Sequence, residues 1–295
     1  MLYIDKYNSY LAPEGIFVGK IMIVNKEFMK NLVRPIALTW VAVGFGPLVE
    51  LLLGIFLDID IPILYSNGIT FVAAAFTAFI LFPKILRVPF EDVSLPEYLR
   101  RLGFYRPPDI WKHILLGACL AACTFSGMLI GSLLTGRYVL DWSTVNVSHT
   151  IFSVNPGLWE EFFYRGVIMF LLLRAAKSLK HAAVIQIVIF GIAHIKAFNL
   201  WAWVDVLSVM IIAVAFTYTA YKTRTLVAGI VFHFLHDAFL FLPQVPGGEY
   251  LGIYENMIFF AFLWLMVGVG ILVVKFSSER YDIKADRELY MLEDC

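Results

Sequence analysis

Charge is what this sequence has least of. Asp, Glu, Lys and Arg make up 16% of its 295 residues, where a soluble domain carries about 25%. Hydrophobic residues reach 60% and the mean hydropathy is +0.79. A soluble globular chain is therefore excluded, and an integral membrane protein is expected. The charges that remain cancel, 23 basic against 23 acidic residues. Without net positive charge nothing drives binding to a phosphate backbone, so nucleic acid is not an expected partner. Cysteine is scarce as well. Cys119 and Cys123 sit one helical turn apart in an apolar run, where packing explains them. Cys295 is the last residue, not the fourth from the end that a prenylation box requires. No disulfide framework, internal repeat or low-complexity tract is present. The N-terminus also lacks the basic region and apolar core of a cleaved signal peptide.

What the chain does have is apolar runs. Residues 1–34 form an N-terminal cytoplasmic or interfacial segment containing Lys20, Lys26, Lys30 and Arg34. It reads either as an interfacial helix around Ile16–Phe28 or as a plain lead-in. Runs of roughly 18–25 apolar residues, each long enough to cross a bilayer, then recur. They fall near 35–57, 63–83, 111–135, 156–174, 181–199, 201–221, 225–243 and 255–275. Backbone groups in lipid must be paired within their own segment, so these are helices. The expected fold is an all-α polytopic membrane bundle of about eight transmembrane helices. One membrane domain covers 35–275, and 276–295 is a cytoplasmic tail.

Basic residues set the orientation. Lys84, Arg87, Arg100, Arg101, Arg106 and Lys112 follow the second span, and Arg174, Lys177 and Lys180 follow the fourth. Lys222 and Arg224 follow the sixth, and Lys275, Arg280, Lys284 and Arg287 the eighth. All lie on one side if both termini are cytoplasmic, which suits a plasma-membrane protein; the opposite loops offer only Arg137. Loops 136–155 and 243–254 are then outside. Segment 91–108 is a cytoplasmic loop or surface helix. Asn146-Val147-Ser148 fits a glycosylation sequon, a short pattern common by chance.

Charges inside apolar runs are expensive and mark functional sites. Three insertions qualify: Glu160-Glu161-Phe-Phe-Tyr-Arg165, Phe190-Gly-Ile-Ala-His194, and His233-Phe-Leu-His-Asp237. Glu161 and Arg165 share a helical face and can pair, while Glu160 is turned about 100° away. At about 1.5 Å per residue, Glu160 is roughly 21 Å from Arg174, His194 roughly 21 Å from Lys180 and Asp237 roughly 20 Å from Arg224. The three groups therefore reach one depth in the outer half of the bilayer. A carboxylate beside imidazoles is what water activation requires, and fixed donors stabilise an oxyanion. Glu160, His194, His233 and Asp237 also compose an acceptable zinc set. No His-Glu-x-x-His occurs, so a metal site would have to be assembled across helices. Whether zinc takes part stays open.

The three motifs, in this order and each in an apolar helix, resemble the intramembrane proteases of the CAAX prenyl endopeptidase and bacteriocin-processing type (CPBP, or ABI). Their signature is Glu-Glu-x-x-x-Arg, Phe-x-x-x-His and His-x-x-x-Asn or Asp. The resemblance covers about 156–242. It implies a glutamate-type peptidase in which Glu160 and His194 activate water while His233 and Asp237 stabilise the transition state. Some members are described as metalloproteases. Asp237 stands where many relatives have Asn.

The remaining polar residues have plainer explanations. Glu161–Arg165 reads as a structural ion pair at the site. His236 faces away from His233 and reads as a helix-contact histidine. Lys196 reads as a snorkelling lysine, Asp205 and Glu50 as local hydrogen bonders, and Phe162, Phe163 and Tyr164 as packing. The expected function is hydrolysis of a peptide bond in a membrane-associated or exported protein. The alternatives are CAAX-type trimming of a prenylated cytosolic tail and a proton-coupled transporter. The partners are a protein or peptide substrate and the lipid bilayer. The topology has a direct check. Single cysteines at Val145 and Gly248 are expected to react with a membrane-impermeant thiol reagent in intact cells, and one at Arg101 is not; the reverse labelling inverts the orientation.

Overall fold

The structure is a computed structural model that describes residues 26–59, 63–85, 94–136, 138–144, 147–176, 178–195, 198–240, 242–244 and 252–283. The expected interfacial helix at 16–28, Lys196, the sequon asparagine and Cys295 lie wholly or largely outside them. The described chain is an all-α bundle. Helix α1 (Lys26–Leu57) starts before the expected span and carries Pro35 and Pro47. Pro47 cannot donate, and its ring pushes aside the carbonyl four residues earlier. The helix bends there by 54°, between Val33–Ala42 and Gly44–Leu57. Helix α2 (Ile63–Phe76) runs through a π turn (Thr77–Leu81) into α3 (Phe82–Ile85).

Helix α4 (Leu95–Arg101) falls where a cytoplasmic loop or surface helix was expected. Its charges suggested a surface segment, but Tyr98 and the following Leu102 are fully buried. The Tyr98 hydroxyl donates to the Ala78 carbonyl at 2.9 Å. Just beyond, the Gly103 carbonyl accepts from the Leu226 amide at 2.9 Å and the Thr225 hydroxyl at 3.2 Å. Segment 94–106 is thus a clamp between the π turn at Thr77–Leu81 and the turn at 224–226.

Helix α5 (Ile110–Thr135) ends on Gly136, whose φ of 62° is the left-handed cap that glycine adopts without strain. A two-residue strand β1 (Val139–Leu140) follows and pairs antiparallel with β2 (Pro243–Gln244), tying the two loops at that end together. Helix α6 (Val147–Asn155) occupies much of what was expected to be loop. It runs without interruption through a π-helix (Pro156–Ile168) into α7 (Met169–Ala176). Helices α8 (Leu179–Ile192), α9 (Leu200–Thr223), α10 (Val227–Leu240) and α11 (Ile253–Arg280) complete the described chain.

Eight helical rods stand where eight spans were expected, but they differ in reach. Tyr65–Lys84, Ile110–Thr135, Leu200–Thr223 and Ile253–Arg280 are each long and apolar enough to cross a bilayer, and the bent α1 makes a fifth if counted as one span. Helices α8 and α10 have 14 residues each, or about 21 Å, against a hydrocarbon core of about 30 Å. Among the described residues, four or five spans are thus shown by length and composition, and eight full spans are not.

Helix α10 is held at close quarters on two sides. A Cβ on Gly117 of α5 would come within 2.5 Å of the Ala228 carbonyl oxygen, and one on Gly157 of the π-helix within 2.9 Å of the Phe234 nitrogen. Both neighbours are backbone atoms, so a methyl group must push the helices apart. Gly117→Ala is expected to lower stability by about 1–3 kcal/mol, the range for overpacking. Gly54→Ala, at a position with nothing within 4 Å, is expected to cost nothing. Thermal unfolding in detergent compares the two.

Candidate active site

The π-helix carries the first motif. Pro156, its first residue, sits in mid-rod, removes a donor and displaces the carbonyl of Phe152. The ladder resumes in the wider i→i+5 register, a form concentrated at functional sites. From Glu161 to Ile168 every residue is buried. The Arg165 guanidinium and the Glu161 carboxylate are completely buried and meet at 3.0 Å. The guanidinium also lies against the rings of Phe190 on α8, 4.1 Å from centroid, and Phe216 on α9, 4.7 Å, where cation–π attraction is strong because water is absent.

Glu161 Oε1 accepts a second bond, from His233 Nδ1–H at 2.9 Å. That bond leaves His233 Nε2 facing Asp237 Oδ2 at 3.6 Å and Glu160 Oε2 at 4.0 Å. The imidazole packs against Phe216, with centroids 4.5 Å apart.

His194 is placed differently from the expectation. The span was drawn to 199, but α8 stops at Ile192. The last turn tightens so that the His194 amide bonds the Gly191 carbonyl rather than that of Phe190. The Phe190 carbonyl is thereby freed, and His194 Nδ1–H donates to it at 2.7 Å, a side chain capping an orphaned carbonyl at a helix end. With Nδ1 so engaged, Nε2 is presented to Glu160 Oε2 at 3.8 Å. Glu160 remains 14% exposed while Glu161 is at 0%. Among the described residues no donor bonds Glu160 Oε2 directly.

The four expected residues, Glu160, His194, His233 and Asp237, thus converge from three helical rods on one space. Residues 141–239 match the family model described as type II CAAX prenyl endopeptidase, Rce1-like. That segment, about a third of the chain, is similar to type II CAAX prenyl endopeptidases. The match takes in all three motifs and ends before α11, and it begins after α5. No curated protein and no solved structure matches the chain. The matching description names an endopeptidase, and the long apolar helices make this chain an integral membrane protein.

Other residues singled out in the sequence fall outside this cluster. His236 is buried against α5, its Nδ1 3.3 Å from Thr124 Oγ1, a helix contact as expected. The charge of Asp205 acts on Tyr138. Cys119 and Cys123 are half-buried and unbridged. Among the described residues no three His, Cys, Asp or Glu side chains are arranged to hold a metal ion. The gaps of 3.6–4.0 Å around His233 Nε2 and Glu160 Oε2 are also wider than neighbouring ligands of one zinc ion normally stand. The residues present do not fit zinc as they stand, and no step below is routed through a metal.

Sequence reasoning missed the second bond of Glu161, to His233, and it missed Gly229. A Cβ at Gly229 would lie 3.1 Å from Glu161 Oε2, so the glycine makes room for the carboxylate. Its signal was present: Gly229 precedes His233 by one turn on the same face of α10. Glu161→Gln leaves Arg165 and His233 without their anion and is expected to cost about 3–5 kcal/mol of stability. Gly229→Ala, which crowds the same oxygen, is expected to cost less but in the same direction. Glu160→Gln is expected to stay within about 1 kcal/mol of wild type. Chemical or thermal unfolding in detergent ranks the three.

Proposed function

We propose that the protein is an intramembrane endopeptidase that hydrolyses a peptide bond of a membrane-associated protein using water activated by Glu160 and His194. The observation that carries this reading is the division of labour between adjacent glutamates. Glu161 is spent on Arg165 and His233, while Glu160 faces both imidazoles from a partly open position. A separation of 3.8 Å is too long for a direct hydrogen bond and suits one bridging water.

In this mechanism Glu160 takes a proton from that water, and the oxygen adds to the substrate carbonyl carbon. The carbonyl oxygen gains the electron pair. His233, carrying a second proton on Nε2 while Glu161 holds Nδ1–H, donates to it. Asp237 orients that Nε2. Glu160 then passes its proton to the amine, the C–N bond breaks, and two chain ends leave. His194 keeps its Nε2 toward the water throughout, because the Phe190 carbonyl fixes the ring.

Two substrate classes follow from two observations. His194, Asp237 and Glu160 are the open members of the site, and the basic-residue count puts their end of the bundle outside. That favours an exported or membrane-anchored protein. The family description favours a prenylated tail ending in a CAAX sequence. Purified protein in liposomes, offered a quenched-fluorescent farnesylated CAAX peptide and a membrane-anchored peptide without the prenyl group, distinguishes them. It also separates a peptidase from a proton-coupled transporter, which cleaves neither. Glu160→Gln is expected to lower turnover about 10²–10⁴-fold, the range for loss of a general base; near-normal turnover would sink the assignment. Chelator-stripped protein is expected to keep its activity. Loss on stripping with recovery on added zinc would make His194, His233 and a carboxylate ligands instead.

A further inference from the structure

Trp40 of α1 is 45% exposed, yet its indole N–H is committed to the interior: it donates to the Tyr164 hydroxyl oxygen at 2.9 Å. Tyr164 is buried and lies four residues after Glu160 on the π-helix. Its ring stands edge-on to Phe190, with centroids 4.8 Å apart. Phe190 is the residue whose carbonyl holds His194 Nδ1–H, and its ring lies 4.6 Å from the imidazole. Tyr164 therefore backs the residue that holds His194 and stands four residues from Glu160 along the same helix.

Packing alone does not require the hydroxyl, since phenylalanine has the same ring. The hydroxyl oxygen is taken up by Trp40, and among the described residues none accepts its proton. Two charges of opposite sign act on it, the Glu160 carboxylate and the Arg165 guanidinium. A group that alternates between charged and neutral in apolar surroundings is served by a fixed dipole that needs no reorganisation.

We propose that Tyr164, held in place by Trp40, is a positioning residue for the Glu160–His194 pair. Its ring backs Phe190 and so the His194 imidazole, and its hydroxyl sets a fixed dipole one turn from Glu160. The proposal rests on the peptidase reading above, so its test has one arm that needs turnover and one that does not.

In the turnover arm, Tyr164→Phe and Trp40→Phe are assayed in liposomes on whichever of the two peptides the wild type cleaves. Each is expected to lower kcat about tenfold with KM within about twofold. The double variant is expected to be no worse than either single one, and melting temperatures to stay close to wild type, because Trp40 is half exposed and loses only a donor. Wild-type kcat in both variants, or a loss wholly matched by unfolding, overturns the proposal. In the second arm, the Trp40 indole N–H resonance of 15N-tryptophan-labelled protein is assigned by its absence in Trp40→Phe. Glu160→Gln is expected to shift it while leaving the signal of Trp111, 76% exposed on α5, unmoved. If the wild type cleaves neither peptide, the peptidase reading fails and this arm alone decides. A Trp40 signal indifferent to Glu160→Gln then overturns the positioning role.

Discussion

A guanidinium with no exposure to solvent, in the middle of an apolar bundle, is the constraint around which this site is built. An arginine there cannot shed its charge, so the protein must supply an anion and polarisable surroundings. Glu161 is the anion, and the rings of Phe190 and Phe216 are the surroundings. Each partner reaches onward. Glu161 also takes the Nδ1–H of His233, Phe190 offers its carbonyl to His194, and Phe216 stacks on His233. Satisfying one buried charge therefore orients both imidazoles. The ion pair and the placement of the two imidazoles share the same atoms, so losing Glu161 is first of all a structural injury.

That sharing also sets Glu160 apart from its neighbour. Two adjacent carboxylates in the same local polarity would compete for the same partners. The π-helix turns them apart, so that one is sealed with Arg165 and the other faces the two Nε2 atoms at 3.8 and 4.0 Å. The close approach of α10 at Gly157 and Gly117 brings His233 and Asp237 within reach of that second carboxylate. Small residues here are the means by which three rods converge.

Much of this was legible in the sequence, and what was not has physical reasons. The three motifs, their order and their convergence followed from charge embedded in apolar runs, because hydrophobic patterning reports burial directly. The end of α8 did not, since apolar residues such as Ile195, Phe198 and Leu200 continue past His194 and hydropathy marks no stop. The π register did not, because Pro156 followed by Gly157 reads equally well as the start of an ordinary helix. The buried face of α4, carried by Tyr98 and Leu102, did not stand out beside Glu97, Arg100 and Arg101. The Glu161–His233 bond joins residues 72 positions apart, and spacing along one helix says nothing of partners on another. What spacing could say, the i,i+4 pairing of Glu161 with Arg165, is found at 3.0 Å.

The brevity of α8 and α10 has a consequence for the supply of the co-substrate. Hydrolysis consumes a water molecule per bond, and hydrocarbon is a poor reservoir of it. Two 14-residue helices, each about 21 Å long, fall several ångströms short of an average hydrocarbon layer, and lipids answer such mismatch by thinning locally. His194 lies just past the end of one of these helices, and Asp237 lies within a turn of the end of the other. On the proposed peptidase reading, groups at these two helix ends would lie under locally thinned lipid, where solvent has a shorter path to them.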